Sequence, residues 1–271
     1  MQADLLERPV ARPQVKWTRI VLPTEHGSWS FLLEPLVAGT AIAFSAAAPW
    51  IVVMTVAAFF LRQPLKMFYL SRRNNPALNS AAMRFLAVFL GVAAVGLAGS
   101  VWTAGWWALF PFAVAAPLAI QQVFFDLSSR NRSLLAEISG AVAISSSAAA
   151  LLLAGGTALP AAAALWVVFV CRSVPSILYV RERLLLEKGK EFQWFLPVAA
   201  HAVGLAVAVA LASEGLVSWL TAAVIAFLAA RSTSGLSPYR TRMKAMKIGL
   251  WEVAYGALFV GSIIAGHYVG R

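Results

Sequence analysis

Long apolar segments alternate with short polar ones along most of the chain. A helix needs about 20 residues to cross a hydrocarbon core of about 30 Å. Nine apolar segments approach that length: residues 27–46, 50–70, 84–101, 105–125, 133–154, 160–180, 193–212, 215–231 and 248–268. None alternates apolar and polar residues like a barrel strand, and lipid offers the backbone no partner outside a helix. The pattern predicts an all-α polytopic bundle of nine transmembrane spans.

Composition agrees with a membrane location. Of the 271 residues, 61% are hydrophobic and only 12% are charged, whereas soluble domains are about 25% charged. The chain has 22 Lys and Arg against 11 Asp and Glu. These cations lie in short loops between apolar spans, so they indicate topology rather than a nucleic-acid partner. The single cysteine, Cys171, excludes an intramolecular disulfide and a cysteine-cluster metal site.

The distribution of basic residues predicts the orientation. Lys and Arg collect in the N-terminal tail and in the loops after spans 2, 4, 6 and 8, and are missing from the loops after spans 1, 3, 5 and 7. Basic loops stay in the cytoplasm. We therefore expect a multi-pass protein of the cell membrane with a cytoplasmic tail, residues 1–22, and one membrane domain, residues 23–271. That domain would comprise two four-helix halves, 23–127 and 128–231, and a last helix, 248–268.

Two basic runs have the same spacing and lie at the cytoplasmic ends of spans 2 and 6. Each has polar residues at offsets of 0, 4, 7 and 11, which fall on one face of a helix. The residues are Arg62, Lys66, Tyr69 and Arg73 in the first run, and Arg172, Ser176, Tyr179 and Arg183 in the second. We interpret the two faces as the walls of one cationic cavity that opens to the cytoplasm.

The depth of the two leading arginines favours a ligand. Arg62 and Arg172 each lie about 12 Å from the cytoplasmic boundary, at 1.5 Å per helical residue. A buried cation at that depth costs about 2.5 kcal/mol or more unless it is paired or faces water. Guanidinium groups bind phosphate oxygens bidentately. The cavity would therefore take the phosphate of a membrane lipid, such as an isoprenoid (di)phosphate.

Structural ion pairs are the alternative interpretation of the same cations. Glu34 is predicted at a similar depth in span 1 and could neutralise Arg62, while Glu137 and Glu252 could serve Arg172. A further carboxylate, Asp126, ends span 4. It would either hold Arg130 one turn on or orient a cation of the central pair.

The start of span 1 supplies the candidate catalytic residues. Glu25 and His26 stand at the predicted cytoplasmic mouth of the cavity. The ordinary pKa of histidine allows proton transfer near neutrality, so either residue could act as a general base. Two such residues are too few to form a metal site, and we predict none.

Three segments resemble the YwiC-like family of bacterial multispanning membrane proteins. They are PTEHGSW at 23–29, RQPL at 62–65 and RSVPSILYVRER at 172–183. More distantly, the layout resembles the UbiA superfamily of intramembrane prenyltransferases. That resemblance implies nine helices, an N-terminus inside, and signature motifs at the cytoplasmic ends of helices 2 and 6, where the two runs fall.

The chain departs from the UbiA pattern at the metal site. The motifs of that superfamily are Asp-rich and hold Mg²⁺ on a prenyl diphosphate, whereas neither run here contains Asp. We therefore expect no cofactor. One hypothesis is a lipid-phosphate site that serves a UbiA-like transferase working without the Asp/Mg²⁺ arrangement. An anion transporter and a non-catalytic partner in a membrane assembly are the alternatives. Nucleic acid is not an expected partner.

Overall fold

The chain folds into helices joined by short loops. The computed structural model describes residues 17–22, 28–72, 74–128, 130 and 133–270, and these contain no strand. The helices are α1 (Thr18–Val21), α2 (Ser28–Ile42), α3 (Ala48–Ser71), α4 (Pro76–Ala104), α5 (Phe110–Leu127), α6 (Leu134–Ala154), α7 (Leu159–Glu187), α8 (Phe195–Ser213), α9 (Trp219–Leu236) and α10 (Ala245–Val269). A 3₁₀ turn, Trp106–Leu109, leads into α5.

The helix lengths confirm a polytopic helical membrane protein. Among the described residues, eight helices are long and apolar enough to cross a membrane. The first predicted span, 27–46, is shorter as a helix: α2 has 15 residues, about 22 Å at 1.5 Å per residue. It ends at Ile42 because the chain must turn before Pro49, which lies in the first turn of α3.

Capping and proline explain the largest difference in a helix boundary. The third span was predicted to begin at residue 84, yet α4 begins at Pro76. Asn75 caps this helix: its side-chain oxygen accepts a hydrogen bond from the backbone N–H of Leu78 at 3.0 Å. Pro76 suits the first helical position, because a backbone N–H there would have no partner within the helix. The sixth span was predicted to end at residue 180, but α7 continues to Glu187, so Arg183 also lies on this helix.

The two most buried helices, α6 and α7, form the centre of the bundle. Helix α6 packs against α2, α3, α5 and α7. Helix α7 packs against α6, α8, α9 and α10. Close packing of α2 on α6 depends on Gly39, where a Cβ would come within 3.2 Å of the Cα of Ala148. Because α6 contacts both α3 and α7, it lies between the two helices that carry the matching runs.

The basic loops share one end of the bundle. Short loops join successive membrane helices, which therefore run in opposite directions, so the C-terminal ends of α3, α5, α7 and α9 lie at the same end of the bundle. We call this the basic end. Its assignment to the cytoplasm follows from the positive-inside rule and stays a prediction, as does the division of the bundle into two four-helix halves.

Candidate functional site

The first matching run lies on α3, and its leading arginine is satisfied by another helix. Arg62 donates from Nε to Asp126 Oδ2 at 2.9 Å and from Nη2 to Oδ1 at 3.2 Å. With its amide oxygen turned toward the guanidinium, Gln122 accepts from Nη2 and Nη1 at 2.6 and 3.0 Å. Asp126 thus orients a cation of the central pair, which was one of its two predicted roles.

The second run lies on α7, and its leading arginine joins three helices. Arg172 is 2% exposed and its Nη2 lies 3.1 Å from Oε1 of Glu34 on α2. The same nitrogen donates to the backbone carbonyl of Glu252 on α10 at 3.1 Å. Gly256 leaves room for this pair, since a Cβ there would lie 3.0 Å from Nη2 of Arg172 and closer still to the Glu34 carboxylate.

These contacts correct the predicted pairing of charges. Glu34 was expected to neutralise Arg62, but it pairs with Arg172. Glu137, proposed as a partner for Arg172, instead pairs with Arg181 at 3.1 Å, and Glu252 offers Arg172 its backbone carbonyl rather than its carboxylate. The partner of each carboxylate depends on how the helices are arranged in the bundle, which sequence spacing does not define.

The structure does not bring Arg62 and Arg172 into one cavity. Each is ion-paired on its own, and α6 packs between their helices. All three guanidinium nitrogens of Arg62 donate to Asp126 or Gln122. Arg172 shares Nη2 between Glu34 and the backbone carbonyl of Glu252, and its Nε has no acceptor among the described residues. The expectation of a shared cavity between spans 2 and 6 is therefore replaced by a structural role for these two arginines.

A pocket with cationic walls lies elsewhere at the basic end, among α7, α9, α10 and the loop 237–244. Its volume is about 280 Å³. The lining residues are Tyr179, Arg183, Arg231, Ser234, Gly235, Tyr239, Arg240, Thr241, Met243, Ile248, Trp251, Glu252 and Tyr255. We call it the Arg231 pocket. Two residues of the second run, Tyr179 and Arg183, belong to it.

Arg231 has the most unusual environment in this pocket. Its guanidinium lies over the ring of Tyr179, 4.1 Å from the centroid, and over Tyr255 at 4.8 Å. Nη1 pairs with the carboxylate of Glu252. The side chain is 9% exposed, yet Nε and Nη2 find no hydrogen-bond partner among the described residues. Buried donors without acceptors are costly, so these two N–H groups are suited to an incoming anion.

Arg183 and Arg240 complete the cationic wall in different ways. Arg183 is 2% exposed, donates to the backbone carbonyl of Gly235 and, at 2.5 Å, to that of Thr241, and pairs with Glu187 at 2.8 Å. It therefore fastens the loop 237–244 to α7. Arg240 is also paired with Glu187, at 3.5 Å. The lining holds three guanidinium groups and one carboxylate, Glu252. With Glu187, which lies outside the lining and pairs with Arg183 and Arg240, the cluster has one net positive charge.

The other predicted site residues are scattered. On α3, Lys66 is half-buried and Tyr69 is 53% exposed. Ser176 is buried on α7 and its hydroxyl has no hydrogen-bond partner among the described residues, while Arg130 is exposed. Glu25, His26 and Arg73 lie outside the described residues.

The sequence interpretation missed Arg231, Arg240, Trp251 and Tyr255 as site residues. Arg231 ends an apolar span and was therefore counted as a topology signal. One clue was available: Arg231 and Glu252 are opposite charges set at similar distances from the same loop, on consecutive antiparallel helices. That position brings the two side chains to the same depth.

No metal centre can be assembled from the described ranges, which hold no group of three or more His, Cys, Asp or Glu side chains with a suitable arrangement. The charged groups that line the Arg231 pocket are mainly cations, which suits an anion. The chemical capacity of the site is thus to hold acceptor oxygens.

Comparison with known proteins gives one match. Residues 22–152 match the family model described as YwiC-like protein, which confirms the resemblance over a little under half of the chain, including the first matching run. The second run lies beyond the matched residues. No curated protein and no solved structure matches the chain. The more distant resemblance to the UbiA superfamily therefore stays a prediction.

Proposed function

We propose that this YwiC-like integral membrane protein binds the phosphate headgroup of a lipid, such as a prenyl or other lipid (di)phosphate, in the Arg231 pocket. The observation that carries the proposal is the buried guanidinium of Arg231, whose Nε and Nη2 have no acceptor within the described part of the chain. In the cell membrane, with the basic end in the cytoplasm, the headgroup would reach the pocket from the inner leaflet.

The shape of the guanidinium group favours phosphate. Arg231 is held between two aromatic rings, which fixes its plane and leaves its edge to donate two parallel hydrogen bonds. Arginine binds phosphate oxygens through such pairs, and a fixed side chain loses little entropy on binding. The pocket volume of about 280 Å³ lies at the lower end for ligand sites, which suits a headgroup better than a whole lipid.

Guanidinium groups would neutralise the phosphate without a metal. Arg231 and Arg240 supply positive charge directly, whereas a Mg²⁺ site needs several oxygen ligands, and the two carboxylates here are engaged by arginines. We therefore expect binding to persist in EDTA. Group transfer by Glu25 or His26 as general base is a further part of the hypothesis, and it concerns residues outside the described ranges.

Calorimetric titration tests the proposal. Purified protein in detergent with EDTA should bind farnesyl diphosphate at one saturable site. Farnesol has the same chain without the phosphate, so it should bind far more weakly. The proposal fails if farnesyl diphosphate does not bind, or if farnesol binds equally well.

Removing the charge of Glu252 should strengthen binding. Its carboxylate pairs with Nη1 of Arg231, and its negative charge therefore repels a phosphate bound at Nε and Nη2. We expect Glu252→Gln to tighten the affinity for farnesyl diphosphate about tenfold, the effect of roughly 1.4 kcal/mol of relieved repulsion. The control is Glu214→Gln, an exposed residue at the far end of α8. Unchanged or weaker binding by Glu252→Gln, measured by the same titration, would show that Glu252 does not repel the ligand.

A further inference from the structure

An aromatic row continues from the Arg231 pocket along the boundary of α9 and α10. It consists of Trp251, Tyr255 and Phe227. The ring of Trp251 stacks on Tyr255 with centroids 5.6 Å apart and planes 24° apart. Phe227 contacts Tyr255 edge-on, with ring centroids 5.9 Å apart and planes 64° apart. Tyr255 is also the ring that lies under the guanidinium of Arg231, so one side chain belongs to both the cationic wall and the aromatic row.

The row descends from the basic end toward the middle of the membrane. Trp251 lies six residues after the start of α10 and Tyr255 ten, which is about 9 and 15 Å at 1.5 Å per residue. On α9, Phe227 lies nine residues before the last residue, about 14 Å deep by the same measure. An interfacial aromatic belt would keep all its rings near the boundary, whereas this row leads inward.

The two ends of the row are open to the bilayer. Trp251 is 45% and Phe227 49% exposed, and both lie within helices that are long enough to span a membrane. Trp251 and Tyr255 also line the pocket. The cationic site is therefore continuous with an apolar surface that lipid chains contact.

We infer that the aromatic row holds the apolar chain of the bound phosphate lipid, which enters from the bilayer along the boundary of α9 and α10. This inference rests on the proposed function and adds the class of ligand: an amphiphile whose head and chain are both recognised, rather than a soluble phosphate. Arg231 and Trp251 lie at similar depth near the basic end, and the rings of Tyr255 and Phe227 lie deeper, which matches a molecule with a charged head and an apolar chain.

Paired titrations with farnesyl diphosphate and inorganic pyrophosphate test the inference. The variants are Trp251→Ala and Phe227→Ala, with Phe124→Ala as a control, because Phe124 is an exposed ring, 66% exposed, on the distant helix α5. We expect each row variant to lose at least about tenfold affinity for farnesyl diphosphate, as removal of apolar contact area requires. For Phe227→Ala, which lies outside the lining of the Arg231 pocket, affinity for pyrophosphate and the midpoint of thermal unfolding should stay unchanged. Trp251 lines the pocket, so Trp251→Ala should lose more affinity for farnesyl diphosphate than for pyrophosphate. The control should behave like the wild type in both titrations.

The outcomes separate the two proposals. If the wild type binds neither ligand, the phosphate site itself is wrong, and the inference falls with it. If it binds both with the same affinity, or if the row variants lose nothing specific to the farnesyl compound, the phosphate site stands and the chain-binding role of the row is overturned.

Discussion

Replacing Arg172 with alanine is expected to lower the free energy of unfolding by about 3–5 kcal/mol, because it leaves a carboxylate buried without its cation. Glu34 is 7% exposed and Oε1 faces Arg172 at 3.1 Å. The substitution also leaves the backbone carbonyl of Glu252 without the donor that it now has. Thermal or denaturant unfolding in detergent, followed by circular dichroism, measures the effect.

Two further variants identify the cause. Glu34→Gln in the Arg172→Ala background removes the unpaired charge and should recover part of the lost stability. Arg181→Ala is the matched control, because Arg181 pairs with Glu137 at a more exposed position, with 37% of its side chain accessible. Such a pair contributes about 0–1 kcal/mol. Equal losses for Arg172→Ala and Arg181→Ala would contradict the structural role of the buried junction.

Replacing Arg231 with glutamine is expected to weaken the binding of farnesyl diphosphate about 100-fold. The substitution removes a charge-assisted, bidentate contact, and losing such a contact at a buried site is worth about 2–3 kcal/mol. Arg231→Lys keeps the charge but not the planar pair of donors, so its affinity should fall between those of Arg231→Gln and the wild type. Titration calorimetry with the lipid diphosphate gives the three affinities.

Arg62→Gln is the informative control for this result. Arg62 leads the first matching run and was expected from the sequence to bind the ligand. In the structure its donors are taken by Asp126 and Gln122, so we expect Arg62→Gln to leave the affinity for the lipid diphosphate within about twofold of wild type, a change of roughly 0.4 kcal/mol. A loss of affinity as large as that of Arg231→Gln would indicate that the ligand binds at Arg62 on α3.

The sequence was sufficient for the helices and for the end at which charge collects. The length of an apolar segment predicts a membrane helix because the bilayer leaves the backbone no other hydrogen-bond partners. The alternation of basic and non-basic loops predicts which helix ends lie on the same side of the bundle. Helix boundaries were less accurate where caps and prolines act, as at Asn75 and Pro76 before α4. In the same way, the polar end of α7 looked like a loop from residue 181 but is helical to Glu187.

The site was only partly predictable, because spacing along a helix gives the face and depth of a residue but not the neighbouring helix. The offsets of the second run correctly selected Tyr179 and Arg183, two lining residues of the pocket. The same reasoning paired Glu34 with Arg62, although α2 packs on α6 and α10 and so delivers Glu34 to Arg172. Arg231, Arg240 and Glu252 come from other elements, and folding alone brings them to α7.

Ligand binding in the Arg231 pocket is tested most directly by an experimental structure of the protein in lipid nanodiscs with farnesyl diphosphate and EDTA. We expect density for the diphosphate against the edge of Arg231 and beside Arg240, with the chain along Trp251, Tyr255 and Phe227. Diphosphate density between α3 and α7 at Arg62 and Arg172, with the Arg231 pocket empty, would contradict this expectation.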